Sequence, residues 1–170
     1  MVEDIGFLQR KVAFVSSGKH VTKEQIDATL PFDFNGKGFF IQFYLKYNGG
    51  YFPDGAHFCR TKIYPVMQDR FTSLGIEMFY FIPRDEGEAT TCFNSISKMW
   101  NLSKSHSIKP EAFLETHFPF ACDAGGNDFW INIETGEVEY FRLDSVNNSV
   151  IVVAPSFYDF CNGIEAENEE

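Results

Sequence analysis

From Phe118 to Tyr140 the chain reads FPFACDAGGNDFWINIETGEVEY, and the reading of this stretch decides the fold. Phe118-Pro119-Phe120 is an extended entry. Asp123-Ala124-Gly125-Gly126-Asn127-Asp128 then forms a tight turn, because Gly125 and Gly126 accept positive φ without a Cβ penalty and the Asp123 and Asn127 side chains bond back to nearby backbone. Two strand-like runs follow, Phe129–Ile133 and Glu137–Phe141, joined by Glu134-Thr135-Gly136 with glycine where a hairpin needs it. In the second run Val138 and Tyr140 alternate with Glu137 and Glu139. That period of two predicts a sheet with one apolar face and one acidic, solvated face.

Upstream, Thr22-Lys23-Glu24-Gln25 has the form of a capping box, which predicts a helix over Lys23–Thr29 that Leu30-Pro31 ends. Phe40, Phe43, Tyr44 and Tyr47 fall at helical spacing, so a second helix covers Phe39–Tyr47, and Asn48-Gly49-Gly50 supplies a left-handed stop. Tyr51-Phe52-Pro53-Asp54-Gly55 reads as loop, with short strands near Cys59–Pro65 and a strand over Gly75–Ile82. Asp85-Glu86-Gly87-Glu88 reads as a further loop. Phe93, Ile96 and Trp100 share one face of a helix over Thr90–Asn101, Ser103–Ser107 is a polar connector, and a short helix runs from Pro110 to Thr116. Val150–Val153 is a buried strand, and Ser156 caps a last helix carrying Phe157, Phe160 and Ile164. The sum is an α+β domain: a mixed, mostly antiparallel sheet flanked by N-terminal, middle and C-terminal helices.

Twenty phenylalanines and 170 residues suffice for one domain with one core. The expected division is an N-terminal extension at 1–20, the domain at 21–164 and a frayed acidic tail at 165–170. No apolar run is long enough to span a membrane, Glu3 and Asp4 break any secretory pattern, and Cys59, Cys92, Cys122 and Cys161 are widely spaced. Reduced thiols in the cytoplasm are the simplest account. A net charge of −10 argues against direct contact with nucleic acid or an anionic membrane and suits a basic protein partner.

A Cys122–His117 nucleophile pair with Asp123 as orienter lacks any local signature, so Cys122 reads as a small buried apolar side chain. Asp123, Asn127 and Glu134 fall at positions one, five and twelve of a calcium-loop count, but Gly125 and Asp128 occupy the third and sixth. His57 and Cys59 have no second pair for zinc, and Gly125-Gly126 opens no phosphate loop. No cofactor is called for. Asp128, Glu134, Glu137 and Glu139 stand as candidates for touching a partner.

The order of landmarks resembles the SUKH superfamily. Val21–Ile26, Leu30-Pro31, a helix ending in Asn48-Gly49-Gly50, the run Phe118–Asp128, Thr135–Val138 and Ser156–Phe160 match its landmarks in order, over about Val21 to Gly163. Residues 1–19 lie outside the match, and Gly50–Pro83 carries no family landmark. The superfamily includes a yeast Smi/Knr cell-wall synthesis regulator and many bacterial toxin-immunity proteins. The resemblance implies an α+β fold without catalysis. It also implies a role in binding and blocking a secreted toxin, often a nuclease, or in serving as an interaction hub in cell-wall signalling. The chain is then an immunity protein, a scaffold with a non-toxin partner, or an enzyme using Cys122 or the Asp123–Asp128 turn.

Overall fold

A computed structural model describes residues 12–65, 71–106, 109–142 and 149–167. Among them the elements run α1 (Lys23–Thr29), α2 (Lys37–Lys46), β1 (Gly50–Cys59), β2 (Ser73–Phe79), α3 (Glu86–Thr91), α4 (Ile96–His106) and α5 (Glu111–Thr116). Then come β3 (His117–Cys122), β4 (Asp128–Asn132), β5 (Val138–Arg142), β6 (Ser149–Ala154), α6 (Phe157–Asn162) and β7 (Ile164–Ala166). The strands form one sheet in the order β6-β5-β4-β3-β2-β1-β7. Every pairing between these strands is antiparallel, with a lone parallel bridge between Phe81 and Ser95. The α+β architecture expected from sequence is the one observed.

The core lies between the sheet and helices α2 and α6. Phe40, Phe43 and Tyr44 of α2 and Phe157 and Phe160 of α6 are fully buried against Phe79, Phe118, Phe120 and Phe129. Most of their rings meet edge-on or tilted, with centroids 5.4 Å apart for Phe43 and Phe79 and 5.3 Å for Phe129 and Phe160, while Phe40 stacks on Tyr44 and Phe79 on Phe160. Each such side chain contributes roughly 1.5–3 kcal/mol by leaving water. The polar tip of Tyr44 is satisfied, its hydroxyl donating to the Tyr80 carbonyl at 2.7 Å.

The sheet is curled. Arg60, just past β1, is buried and donates from Nη2 to the Val152 carbonyl of edge strand β6 at 2.8 Å. The same guanidinium holds the Phe71 carbonyl at 2.8 Å. Helix α6 carries the chain from β6 to β7, from one edge of the sheet to the other.

The two faces of the sheet are covered unequally. Strands β3, β4 and β5 are buried along almost their whole length. On the face away from α2 and α6, a second apolar cluster of Leu114, Trp130 and Phe141 packs with Phe113 and Trp100 from α5 and α4. Strand β2 instead alternates exposed and buried from Ser73 to Glu77, the pattern of a sheet with one wet face. The solvated face expected at the central hairpin therefore belongs to the opposite half of the sheet. Helix α5 takes its place over β4 and β5.

Other expectations shift locally. Tyr51–Gly55, expected as loop, lies inside β1. The register jumps from Tyr51↔Met78 to Ala56↔Ile76, so the strand absorbs Pro53, Asp54 and Gly55 in a bulge where the ladder needs no proline N–H. The helix expected over Thr90–Asn101 is two helices, broken at Asn94 with φ 69°, which leaves Phe93 68% exposed. The acidic run before it starts α3, because the Asp85 carboxylate accepts the Glu88 N–H at 2.9 Å as an N-cap. Ser103, expected in a connector, lies within α4. Ile164, expected on the last helix, begins β7, and Glu165 and Ala166 pair with β1 rather than fraying. Residues 12–20 dock on the domain: Val12 is buried, Val15 bridges Tyr51, and the Phe14 ring lies 5.1 Å from Phe52. Residues 1–11 of the extension, Ser107 of the connector and residues 168–170 of the tail lie outside the described residues.

Candidate functional site

The motif residues occupy three places. Asn48 sits between α2 and β1 and is buried. Its Nδ2 donates to the carbonyls of Lys19 at 2.7 Å and Ile82 at 2.9 Å, and its Oδ1 accepts the Ile82 N–H at 2.7 Å. One side chain thus ties the N-terminal segment, the end of α2 and the chain after β2. Gly49 follows with φ 68°, and a Cβ there would meet the Phe79 carbonyl and the Phe81 backbone at 2.9 Å. Gly50 opens β1 against the Phe14 ring and the Val15 carbonyl, where a Cβ would overlap both.

The turn between β3 and β4 is organised by Asp123. Its Oδ1 accepts the Asn127 N–H at 2.9 Å, and its Oδ2 accepts the Tyr140 hydroxyl at 2.6 Å and Asn127 Nδ2 at 3.0 Å. Gly126 takes φ 82° and Gly125 is exposed. Both carboxylate oxygens of Asp123 are engaged by protein donors, and Glu134 lies past the far end of β4. The calcium-loop count brings no ligand shell together.

The four hairpin carboxylates separate into two pairs. Glu134 is exposed, and Glu137 is half-buried and accepts the Thr135 hydroxyl at 3.2 Å. Asp128 and Glu139 are buried, at 8% and 7% exposure, and present no carboxylate to a partner. This corrects their reading as surface acids. Asp128 accepts the Tyr80 hydroxyl at 2.5 Å, and burial raises its carboxyl above the ordinary aspartate value despite that bond and the nearby Lys109 ammonium. Burial pushes Glu139 in the same direction. Its bonds from His117 Nε2 at 2.8 Å and Asn132 Nδ2 at 3.1 Å outweigh burial and hold it below the ordinary glutamate value.

Helix α5 completes this buried layer. His117 Nδ1 lies 2.9 Å from the Phe113 carbonyl, and the Phe113 ring stacks on the imidazole with centroids 3.9 Å apart. Lys109 packs its ammonium over Phe141 at 4.9 Å and Trp130 at 5.4 Å. Trp130 Nε1 is the one buried side-chain nitrogen or oxygen among the described residues that finds no partner. Sequence reasoning missed Lys109, Tyr80 and Arg60, since their partners lie in other strands and no local pattern marks them.

The Cys122–His117 nucleophile pair is not assembled. His117 stands at the start of β3 facing Glu139, and Cys122 ends the same strand. Burial pushes the Cys122 thiol up to about 11, away from the thiolate a nucleophile needs.

These arrangements define a small α+β domain in which the asparagine after α2, the glycine turn and the hairpin acids brace one curled sheet. The chain belongs to the SMI1 / KNR4 family (SUKH-1), whose family model matches residues 38–163. That span runs from α2 through α6 and includes Asn48-Gly49-Gly50, the Asp123 turn and the hairpin. Neither a curated protein nor a solved structure matches the chain.

Proposed function

We propose that the chain is a non-catalytic, cytoplasmic immunity protein that binds the basic catalytic domain of a cognate toxin, often a nuclease, and blocks it. Membership of the SUKH group carries this reading, since toxin immunity is the implied role of its bacterial members. The net charge of −10 supports a basic partner, because opposite fields raise the association rate and penalise wrong partners. The mechanism needs only a surface that covers the toxin's active site. The test is an affinity pull-down of the tagged full chain from its native host, with mass spectrometry of what co-elutes. The C-terminal domain of a large secreted protein, recovered near one to one, is the expected result. Envelope-synthesis or signalling proteins in its place would assign the chain to the scaffold role instead. A blank with the toxin demonstrably expressed would overturn the immunity reading.

A further inference from the structure

Among the described residues, the half of the sheet that α4 and α5 leave bare keeps one side of β2 exposed. On its outer side His57 stands opposite both Gly75 and Glu165, and Cys59 stands opposite Ser73. Ser73, Gly75 and Glu77 are all exposed, and a Cβ placed on Gly75 would meet nothing within 4 Å. Because Gly75 carries no side chain, a groove of about 180 Å³ opens there, bordered by Phe52, Glu77, Ala124 and Glu167, with the Glu167 carboxylate lying over Gly55. Tyr51, 43% exposed, lies at the start of the same strand as an aromatic neighbour.

The charge on this side is only partly neutralised. Elsewhere some carboxylates have ion-pair partners: Asp27 with Lys23 and Lys37, Glu88 with Arg84, Glu139 with His117. On the bare side, Lys62 and His57 pair with Glu165. Among the described residues, no ion pair engages Asp54, Glu77 or Glu167. Two exposed acids, Glu77 and Glu167, thus border a groove whose open floor is Gly75, on a chain with ten excess negative charges. A protruding Lys or Arg fits both features, its apolar stem lying along the glycine floor and its charged head among the carboxylates.

We infer that the uncovered face of β1, β2 and β7 is the docking surface for a basic protein partner, with the groove at Gly75 seating one long cationic side chain between Glu77 and Glu167. This rests on the binding role proposed above and moves its surface away from the hairpin, where Asp128 and Glu139 are buried. The test places a photoreactive benzophenone residue at Ser73 or Gly75 of the full chain in its native host, with Gln42 and Thr135, exposed elsewhere, as comparison positions. Ser73 and Gly75 are expected to form an adduct with one basic protein, and the comparison positions none. Glu77→Lys with Glu167→Lys should cut that adduct at least tenfold while leaving the melting temperature unchanged. Adducts from Gln42 or Thr135 alone would overturn the location and leave the binding role standing. Adducts from no position would overturn both. An adduct at Gly75 with an acidic protein or a second copy of the chain, or one undiminished by the lysines, would overturn the basic partner.

Discussion

His117 Nε2 lies 2.8 Å from Glu139 Oε2 in a layer where both side chains are more than nine-tenths buried. The pair joins the first residue of β3 to β5 across β4, while Asn132 of β4 holds the second carboxylate oxygen at 3.1 Å. Removing one partner of a buried pair leaves the other without compensation, so Glu139→Ala should destabilise by roughly 3 kcal/mol. Glu137→Ala, two residues away and half-buried, should change stability by less than about 0.5 kcal/mol. Urea unfolding of the two variants decides, and equal small losses would show that Glu139 behaves as a surface acid.

How this layer forms explains which parts of the fold were legible in the sequence. Thr22 caps α1 through Gln25, and Ser156 caps α6 through Asp159, because capping depends on residues three apart. The Asp123 turn was legible for the same reason, as its bonds from Asn127 close within four residues. Glu139 alternates with Val138 and Tyr140 as a surface acid would. Its burial depends on α5 folding back to bring Phe113 over β5 and on His117, 22 residues before Glu139 in sequence. Periodicity shows that a strand has two faces, and only the packing of distant elements settles which is wet. Strand β1 was hidden by a different cause, since Pro53-Asp54-Gly55 is ordinary turn chemistry that here fills a bulge.

Asn48 concentrates in one buried side chain three hydrogen bonds to two other segments, one to Lys19 and two to Ile82. Asn48→Ala would leave the Ile82 N–H and carbonyl and the Lys19 carbonyl without that partner. At roughly 1–3 kcal/mol for each buried group left unsatisfied, the two Ile82 groups set an expected loss of about 2–6 kcal/mol. Native-state hydrogen exchange should show the Ile82 amide losing protection along with the N-terminal segment. A variant that melts with the wild type would refute this bracing role.

The glycines of the two motifs should differ in cost. Gly126 has φ 82° with open space around it, so Gly126→Val should cost only backbone strain, roughly 1–3 kcal/mol. Gly49 adds an obstruction, the Phe79 carbonyl and Phe81 backbone at 2.9 Å from any Cβ. Gly49→Ala should therefore destabilise more than Gly126→Ala, although the side chain added is the same. Thermal melts of the two alanine variants compare them directly, and the reverse order would contradict the packing at the start of β1.

Asp128 and Glu139 should respond to pH with opposite signs. Glu139 is held below its ordinary value of 4.5, so its stabilisation is present above that value and is lost as pH falls through the lower folded one. Burial raises Asp128 above its ordinary 3.8, so the folded chain binds that proton more tightly than the unfolded chain does. Its contribution is full below 3.8 and is lost as pH rises through the folded value, which makes the ionised carboxylate a cost at neutral pH. In Asp128→Asn the amide oxygen can still accept the Tyr80 hydroxyl, and the charge is gone. Glu139 titrates alike in both proteins and cancels from the comparison. The stability of the Asn variant relative to wild type should therefore increase between about pH 3 and about pH 7. Urea midpoints at the two pH values measure that difference. A difference that stays constant or shrinks would mean that Asp128 ionises at no net cost beside Lys109.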